Sequence, residues 1–452
     1  MRKRVLFTAL AGIFLLGDMT ARAAAVDTSL RPQLRPGSGA ITAAAIVVTD
    51  APLASLRPRA RPGAADAGSV GTARVSTSNL AFRRWIDGFR GRARAAGISV
   101  RILDRAFAGV RYNTDVIQRD RNQSEFKSQI WDYLDSAASP VRVEKGKAAL
   151  RRHARTLRRI ESRFGVEKEV VTAVWGLEST YGTRRGDIPL IESLATLSFD
   201  GRRGAFFEKQ LIAALKILQS GDVSPRDMKG SWAGAMGHTQ FIPTSYQAYA
   251  VDFTGDGKRD IWSDDPADAL ASTAAYLKRF GWTKGQPWGV EVRLPSGFDH
   301  ALASRSVRKT PTAWASLGVT DMRGRAVPNH GQASILLPAG ARGAAFMIFD
   351  NFSVLERYNN ADAYVIGVGH LSDRLAGGPP IQASWPRGYK PLSFDERKEM
   401  QRRLRRNGHA LEKIDGIVGP NTVTAIRAYQ RSAGLTVDGF PSKDLLAHLR
   451  GR

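Results

Sequence analysis

Apolar residues recur with a helical period along most of the chain. Over residues 82–107 and 150–164 they fall every third or fourth position, a spacing that predicts amphipathic helices on a common core. Residues 170–177 are apolar on nearly every side, which is typical of a helix that is buried all round. This run ends at Glu178, and the Ser-Thr-Tyr-Gly that follows predicts a helix exit in which Gly182 takes the left-handed conformation.

The period shortens toward two between about residues 287 and 349, where alternating apolar positions are separated by clusters of Gly, Pro and Ser. This alternation predicts the short strands of a small β portion. The helical period returns over residues 362–375, and a Gly-Gly-Pro-Pro run then marks a linker over residues 377–391. The predicted fold class is therefore mainly α (α+β).

The last segment, residues 392–452, reads as a separate three-helix domain. Ser393 and Glu396 form a capping box at the start of its first helical pattern. Two short turns, Ile-Asp-Gly at residues 414–416 and Val-Asp-Gly at residues 437–439, form a weak internal repeat within it.

The N-terminal residues have the pattern of an exported protein. Basic residues at positions 2–4 precede an apolar run over residues 5–16 and then small-x-small cleavage sites, which predicts a signal peptide over residues 1–25. The apolar run is shorter than the ~20 residues that a membrane-spanning helix needs. Residues 26–79 are rich in Pro, Gly, Ala and Arg, which predicts a disordered basic tether.

Composition and charge narrow the class of partner. The chain of 452 residues carries a formal charge of +25 and contains no cysteine, so disulfides and an N-terminal lipidated cysteine are excluded. Such a basic surface suits nucleic acid, an anionic membrane or an acidic cell-wall polymer. Because no nucleic-acid-binding motif is present, nucleic acid is not expected as a partner. No transmembrane anchor is expected either, and the predicted location is the periplasm, as a soluble envelope protein.

Glu178 is the candidate catalytic acid. A carboxyl group beside Trp175 at the end of an apolar helix loses hydration of its charged form, so its pKa is expected to rise. It could then hold a proton near neutral pH and give it to a glycosidic oxygen. The alternative is a glutamate that faces solvent at a fraying helix end.

A glycine-rich loop over residues 230–243 forms the candidate cleft. Its glycines allow the backbone to approach a ligand closely, while Trp232, His238, Gln240 and Phe241 supply rings and hydrogen-bonding groups. Taken alone, a loop of this composition is also compatible with a simple turn.

An aspartate-rich loop follows and resembles the first half of a calcium loop. Asp252, Thr254 and Asp256 stand at alternate positions before a glycine, and Lys258 would offer its carbonyl group. The twelfth position is Ser263 rather than glutamate, so the closing carboxylate would come from Asp264, Asp265 or Asp268. The alternative is a solvated Asp-Gly turn that binds no metal.

Five motifs in order carry a resemblance to a known family. They are GLESTYG at residues 176–182, SFDGRR at 198–203, AGAMGHTQFIP at 233–243, DFTGDG at 252–257 and RYN at 357–359. With them, residues 80–376 resemble the B-type lytic murein transglycosylases. Residues 392–452 are similar to the small peptidoglycan-binding domain, through DGIVGPNT at residues 415–422 and Ala-Ile at 425–426.

The resemblance implies a lysozyme-like catalytic domain with a small β portion, which cleaves the β-1,4 bond between N-acetylmuramic acid and N-acetylglucosamine. It implies Glu178 as the acid and then the base, no cofactor for catalysis, and a structural Ca²⁺ in the aspartate loop. The residues that it implies at the substrate are Arg202, Arg203, Ser231, Gln240, Phe241, Tyr358, Asn359 and Tyr364. The expected metal ligands are Asp252, Thr254, Asp256, Lys258 and Asp268.

Two functions of other classes stay open at this point. A hydrolytic muramidase of the lysozyme type needs a second carboxylate about 5 to 9.5 Å from the first, for which Asp187 and Asp200 are the nearest candidates in sequence. A non-catalytic wall-binding protein would keep the cleft and the C-terminal domain as a scaffold, but the intact Glu178 motif argues against it. The expected partners are peptidoglycan strands and, beside them, other cell-wall enzymes.

Overall fold

The computed structural model describes residues 68–121 and 129–451. The predicted signal peptide and most of the predicted tether lie outside these residues. The boundary of the tether at residue 79 was wrong, because helix α1 (Gly68–Ala95) already begins at residue 68. A search of the described part of the chain found no helix with the length and apolarity that a membrane span requires.

A large helical unit occupies residues 68–375. Besides α1 its helices are α2 (Val100–Phe107), α3 (Thr114–Arg121), α4 (Ile130–Ala137), α5 (Pro140–Arg152), α6 (Ala154–Phe164), α7 (Lys168–Ser179), α8 (Leu190–Asp200), α9 (Gly204–Ser220), α10 (Pro243–Tyr249), α11 (Ala267–Arg279), α12 (Pro311–Ala315), α13 (Asp350–Tyr358) and α14 (Asp362–Leu375). A two-stranded ribbon pairs β1 (Ile188–Pro189) antiparallel with β2 (Lys229–Gly230).

Helix α7 is the centre of this unit. Every residue from Val170 to Ser179 is buried, as the uninterrupted apolar run predicts. Helices α5, α6, α11 and α14 all pack against it, so the neighbours enclose it on several sides. A group attached to the last turn of α7 is consequently held by the whole helical core.

The exit from α7 is more unusual than the sequence suggested. Thr180, Tyr181 and Gly182 all have positive φ, at 52°, 56° and 83°. Thr180, rather than the glycine, is the left-handed cap residue that ends the helix. Because non-glycine residues adopt this region only at a cost, the surrounding structure must fix both of them.

The ring of Tyr181 fixes this exit by filling a space between helices. Its hydroxyl donates to the carbonyl oxygen of Arg142 in α5 at 2.8 Å. A Cβ atom on Gly146 would lie 2.5 Å from the Tyr181 hydroxyl oxygen and 2.6 Å from Leu375 Cδ2. A Cβ atom on Gly176 would lie 2.6 Å from the same ring. Both glycines are therefore needed to make room for Tyr181.

The predicted β portion is a four-stranded antiparallel sheet. In chain order its strands are β3 (Gly289–Arg293), β4 (Thr320–Asp321), β5 (Ser334–Leu336) and β6 (Ala345–Ile348). They lie side by side in the order β4-β3-β6-β5. One face of the sheet covers a separate small core around Trp314, while Phe346 and Ile348 on β6 join the large helical core. The period-two pattern placed this sheet correctly.

The C-terminal unit is a bundle of α15 (Phe394–Arg406), α16 (Pro420–Ser432) and α17 (Lys443–Leu449). It has its own core, formed around Met400, Leu404 and Ile426. The capping box of Ser393 and Glu396 is present at the start of α15. The three predicted helices are therefore confirmed.

The predicted linker over residues 377–391 packs against the large unit along much of its length. The backbone N–H groups of Gln382 and Ala383 donate to the carboxylate of Glu291, and the ring of Trp385 lies 6.3 Å from that of Trp131. Arg387 adds a two-pronged ion pair with Asp135, at 2.6 and 3.0 Å. This segment is an attached strap rather than a free connection.

The C-terminal unit also docks on the β portion. Asp438 Oδ2 accepts a hydrogen bond from the backbone N–H of Ala341 at 3.0 Å. Gly340 allows this contact, because a Cβ atom there would lie 2.6 Å from that carboxylate oxygen and 2.7 Å from Phe440 Cβ. Arg427 adds a bond to the carbonyl oxygen of Ala303. The two units thus have a defined relative position.

We predict that Gly146→Ala destabilises the protein by about 1 to 3 kcal/mol, because the added methyl group must displace Tyr181 and Leu375. The matched control is Gly91→Ala in α1, where a Cβ atom meets nothing within 4 Å. That change should stabilise the helix by roughly 0.5 to 1 kcal/mol. Urea unfolding of the two variants measures the difference. Equal shifts of the two midpoints would contradict the proposed packing of Tyr181.

Candidate active site

Glu178 lies in the last turn of α7 and is only 6% exposed. The hydroxyl group of Tyr364, near the start of α14, donates a hydrogen bond to its Oε1 at 2.7 Å. The solvent-facing alternative for this glutamate was wrong, because α7 is buried to its end and α14 packs directly against it. The hydrogen bond from Tyr364 thus orients the Glu178 carboxyl group in a largely apolar environment.

Tyr133 on α4 is a neighbour that the sequence analysis missed. Burial raises the pKa of its phenol, and the nearby charge of Glu178 raises it further. Its ring lies close to Gly367 of α14, where a Cβ atom would meet it at 2.9 Å. No motif marked this residue, since it comes from a helix distant in sequence and only the packing of α4 on α14 brings it to the site.

A group of aromatic rings supports the Glu178 site from below. The ring of Tyr358 stacks parallel to that of Tyr364 at 6.5 Å, and Phe241 lies 5.9 Å from Tyr358. Tyr276 packs against both Phe241 and Tyr358, at 5.9 and 5.1 Å. Tyr276 is a second residue that the sequence analysis did not select.

Two of the predicted substrate residues, Phe241 and Tyr358, pack inside the large helical core. Phe241 is fully buried and Tyr358 is 2% exposed, so neither ring presents a surface to a sugar. The Tyr358 hydroxyl donates to the carbonyl oxygen of Thr239 at 2.6 Å. Both rings help to hold the glycine-rich loop and Tyr364 in place, and a direct contact with substrate stays a prediction for each.

The glycine-rich loop is fastened to the exit of α7 through His238. Its Nδ1 accepts a hydrogen bond from the indole N–H of Trp175 at 3.1 Å, so Nε2 carries the proton and donates to the carbonyl oxygen of Ser263 at 2.7 Å. The Ser179 hydroxyl donates to the backbone carbonyl of His238 at 2.5 Å. Burial lowers the pKa of His238 to about 4, which keeps the ring neutral for these two bonds.

Gln240 and Ser231 shape the same loop. Gln240 has a positive φ of 55°, and its amide N–H groups donate to the carbonyl oxygens of Arg185 and Gly237 at 3.0 and 2.9 Å. Ser231 is half-buried, and its hydroxyl oxygen accepts the backbone N–H of Ala235 at 3.0 Å. Both side chains therefore fix the loop geometry, and a direct contact with sugar stays a prediction for each.

Asn359 comes directly after α13 and is 6% exposed. Its side-chain oxygen accepts the backbone N–H of Ala361 at 3.1 Å. This bond shapes the short connection between α13 and α14, which delivers Tyr364 to Glu178. A direct contact between Asn359 and substrate stays a prediction.

Arg202 and Arg203 are engaged by a buried acid. Arg202 donates to both carboxylate oxygens of Asp120, and Arg203 approaches the same carboxylate at 3.4 Å. Asp120 is 2% exposed, so the pair anchors the end of α8 to α3. The Arg202 side chain nevertheless remains 50% exposed. Its use for a substrate carboxylate stays a prediction.

The two candidate second carboxylates occupy unlike places. Asp200 ends α8 and forms an ion pair with Arg121 at 2.8 Å. Asp187 is exposed in the loop before β1. Asp200 therefore makes a structural ion pair. Asp187 lies on the exposed surface rather than in the helical core.

The aspartate loop brings three carboxylates together. Ligand oxygens of Asp252, Asp256 and Asp268 all lie within 4.8 Å of one another. Asp268 is buried and accepts the backbone N–H groups of Phe253, Thr254 and Asp260. Of the three acids considered for closing the loop, Asp268 is therefore the one that joins this cluster.

The two other predicted ligands, Thr254 and Lys258, lie beside these acids. The Thr254 hydroxyl lies 3.3 Å from Asp252 Oδ1, and the backbone N–H of Lys258 donates to Asp256. Hydrogen bonds from the backbone of Gly255 and Gly257 lower the pKa of Asp252. Burial raises the pKa of Asp268, and a bound cation would offset that cost. A set of oxygen ligands that includes three carboxyl groups fits a hard cation such as Ca²⁺.

Comparison with known proteins identifies the larger unit. Residues 81–373 match the family described as "Transglycosylase SLT domain", which covers well over half of the chain. The chain belongs to this family. Residues 394–449 match a second family, described as "Putative peptidoglycan binding domain".

Several relatives in the transglycosylase SLT domain family are similar over long stretches. Membrane-bound lytic murein transglycosylase B of Escherichia coli K12 is 34% identical over 251 residues, which cover 54% of this chain and 66% of that protein, just under two thirds. SltB3 from Pseudomonas aeruginosa, solved in complex with NAG-anhNAM-pentapeptide, is 51% identical with a TM-score of 0.79. That match covers 82% of this chain and 99% of SltB3.

An Escherichia coli lytic transglycosylase solved in complex with calcium is 29% identical, with a TM-score of 0.55. The match covers 66% of this chain and 93% of that one. Together the comparisons confirm the predicted fold class and the prediction of a lytic murein transglycosylase followed by a peptidoglycan-binding domain.

We predict that Tyr364→Phe shifts the pH dependence of cleavage. The Tyr364 hydroxyl donates to the Glu178 carboxyl group, and such a bond favours the charged form of an acid. Without it, Glu178 should stay protonated to higher pH, so the alkaline limb of the kcat/KM profile should move upward.

A suitable control is Tyr246→Phe, because the Tyr246 hydroxyl donates to the carbonyl oxygen of Arg259 and contacts no catalytic group. The pH profile of the control should keep the midpoint of the parent. An unchanged alkaline limb in Tyr364→Phe would show that the hydroxyl does not influence protonation of Glu178.

Proposed function

We propose that this protein is an exported lytic murein transglycosylase that cleaves the β-1,4 bond between N-acetylmuramic acid and N-acetylglucosamine and leaves 1,6-anhydromuramyl ends. The observation that carries the proposal is the buried Glu178 carboxyl group, oriented by Tyr364 at the end of α7. The basic, cysteine-free sequence and the signal-peptide pattern of residues 1–25 support a periplasmic location.

Glu178 serves first as the acid. In a site of low polarity the protonated carboxyl group is favoured, and its proton passes to the glycosidic oxygen as that bond breaks. Tyr364 keeps the other carboxyl oxygen in place during this step, so that the proton-bearing oxygen faces the cleft. The glycine-rich loop, which the hydrogen bonds of His238 and Gln240 hold in place, is proposed to form a wall of the same cleft.

Glu178 then serves as the base. The positive charge on the muramyl ring can be held by its own 2-acetamido group, and the ionised carboxylate takes the proton from the C6 hydroxyl of the same sugar. A well-oriented intramolecular attack has an effective molarity of about 10⁵ M or more, so it outruns water at roughly 55 M. The ring closes to the 1,6-anhydro product without a second carboxylate.

The aspartate loop is proposed to hold Ca²⁺ for stability. Asp252, Asp256 and Asp268 would supply carboxylate oxygens, Thr254 its hydroxyl and Lys258 its carbonyl group. The relative solved with calcium supports this assignment. Asp252 and Asp256 lie on the connection between α10 and α11, and Asp268 lies in the first turn of α11. An ion there would join the connection to the helix, so its proposed role is to fix the fold rather than to take part in bond cleavage.

The C-terminal domain is proposed to provide a second contact on the same polymer. Such a contact raises the local concentration of the catalytic unit without changing the barrier of the reaction. Peptidoglycan strands are the proposed partner of both units, and other cell-wall enzymes are proposed to work beside them.

We predict that Glu178→Gln lowers cleavage of purified sacculi by at least ~10² to 10⁴, the usual contribution of general acid and base catalysis. Glutamine keeps the shape of the side chain but cannot transfer the proton. Mass analysis should show that the native enzyme releases fragments lighter by one water than lysozyme products, without oxygen-18 from labelled solvent.

The two alternatives give distinct results in the same experiment. Labelled, reducing muramic ends would identify a hydrolase, and their loss in Asp187→Asn would identify its second carboxylate. Turnover of Glu178→Gln above about a tenth of the native rate would remove Glu178 from the catalytic role.

We predict that millimolar Ca²⁺ raises the melting temperature and that chelation lowers it, because the folded state alone gathers the three carboxylates. Asp256→Asn should abolish this response, since Asp256 is exposed and its loss removes a ligand without disturbing the core. Asp321→Asn, in a turn outside the cluster, is the control and should respond as the native protein does. A melting curve insensitive to Ca²⁺ would identify the loop as a solvated turn.

A further inference from the structure

The C-terminal domain contains two turns of the same design. In the first, Gln401 on α15 accepts the backbone N–H of Gly416 at 2.8 Å and donates to Asp415 Oδ1 at 3.2 Å. That same carboxylate oxygen accepts the backbone N–H of Ile417 at 2.9 Å. Gly416 has a φ of 74°, which closes the turn.

The second turn repeats every one of these contacts. Gln430 on α16 accepts the backbone N–H of Gly439 at 2.8 Å and donates to Asp438 Oδ1 at 2.7 Å. The same oxygen accepts the backbone N–H of Phe440 at 2.9 Å, and Gly439 has a φ of 75°. The weak repeat in the sequence therefore corresponds to two equivalent binding loops.

The outer oxygen of the second turn binds a peptide backbone. Asp438 Oδ2 accepts the N–H of Ala341, and Phe440 packs beside Gly340. This turn thus contacts the start of a short 3₁₀ helix (Gly340–Arg342), where Gly340 and Ala341 are small, through one carboxylate oxygen and one adjacent apolar residue. A carboxylate that accepts a backbone N–H makes a charge-assisted hydrogen bond, which is stronger than one between neutral groups.

The first turn presents the same two groups to a cavity. Asp415 and Ile417 line a cavity of about 240 Å³ together with Lys413 and the first residues of α16. Ile417 is 49% exposed, whereas its counterpart Phe440 is covered by the docked segment. The hydrogen bonds from Gln401 and from the backbone of Ile417 both go to Asp415 Oδ1, and the Asp415 side chain lines the cavity.

The rest of the cavity adds groups for the charges of a peptide. Lys413 is an exposed cation, and Asn421 stands in the first turn of α16, where the backbone N–H groups favour an anion. Glu412 offers an acid for an ammonium group. These groups complement a short peptide that carries amide N–H groups, free carboxylates and small side chains.

We propose that the cavity beside Asp415 binds the peptide stem of peptidoglycan, rather than its sugars, in the manner in which the Asp438 turn binds the Gly340–Ala341 segment. The proposal rests on the proposed function, since it names the part of the polymer that the C-terminal domain holds. One turn of the pair fastens the domain to the catalytic unit, and the other takes the substrate.

The test uses the full chain with Glu178→Gln, so that no probe is consumed. A stem pentapeptide without sugar should shift the backbone amide NMR signals of Gly416 and Ile417 and leave those of Gly439 and Phe440 in place. A sugar-only probe, the tetramer of N-acetylglucosamine, should leave the signals of Gly416 and Ile417 unchanged. Shifts at these two residues with the tetramer, or none with the peptide, would overturn the proposal.

Asp415→Asn is the decisive variant. Its Oδ1 can still accept the N–H of Ile417, while the amide that replaces Oδ2 turns an acceptor into a donor. Binding of the pentapeptide should weaken about tenfold, the value of a hydrogen bond to a charged group. Asp438→Asn makes the same change at the docked turn and should leave the affinity for the pentapeptide unchanged. Equal affinities of Asp415→Asn and the parent would overturn the assignment.

A second variant tests the same site without changing a residue of the hydrogen-bonded turn, so that a loss of binding cannot be due to misfolding of that turn. Lys413→Ala changes an exposed side chain outside the hydrogen-bonded turn and should weaken binding of the pentapeptide but not of its fully amidated form. Equal loss for both forms would overturn the role of Lys413 in charge recognition. Cleavage of short soluble glycans by the native enzyme measures the catalytic function, so failure of this proposal and failure of the catalytic function are measured separately.

Discussion

The structure of the catalytic unit depends on burying one carboxyl group at the end of a helix. Taking a charge out of water costs several kcal/mol unless it is neutralised or hydrogen-bonded. The chain meets this constraint by placing Glu178 against Tyr364 and by closing α7 with four packed helices. The same burial that makes an ionised Glu178 costly to place favours its neutral form, which is the form that the proposed acid step requires.

The chain that leaves α7 after Glu178 must also be held in place. Because Thr180 and Tyr181 hold left-handed conformations, the exit needs contacts that outweigh their cost, and His238 supplies them through Trp175 and Ser179. A Cβ atom at Gly182 would lie 2.5 Å from His238 Nδ1, so only glycine fits beneath the ring. The end of α7 that carries Glu178 and the glycine-rich loop are therefore held together as one packed unit.

Periodicity and motif spacing predicted several of the helices, the β portion, the C-terminal bundle and the burial of Glu178, because each depends on local sequence. What the sequence could not predict concerns tertiary packing. Phe241 resembled a stacking platform, but its ring is enclosed by Tyr276 and Tyr358, which come from distant helices. Tyr133 carried no motif at all. Asp268 was one of three acids considered for closing the aspartate loop, and only the packing of the first turn of α11 against that loop distinguishes it from Asp264 and Asp265.

The docking of the C-terminal domain changes what a second binding contact can do. With a free linker, the effective concentration of the second site depends on linker length. Here the strap is pinned through Trp385, and Asp438 holds the domain on the β portion, so the distance between cleft and domain has one preferred value. The proposed contact of the C-terminal domain with a strand would then assist cleavage only at bonds that lie at the matching distance from it. A fixed arrangement of this kind would select positions along the polymer, whereas a flexible tether would increase cleavage everywhere within its reach.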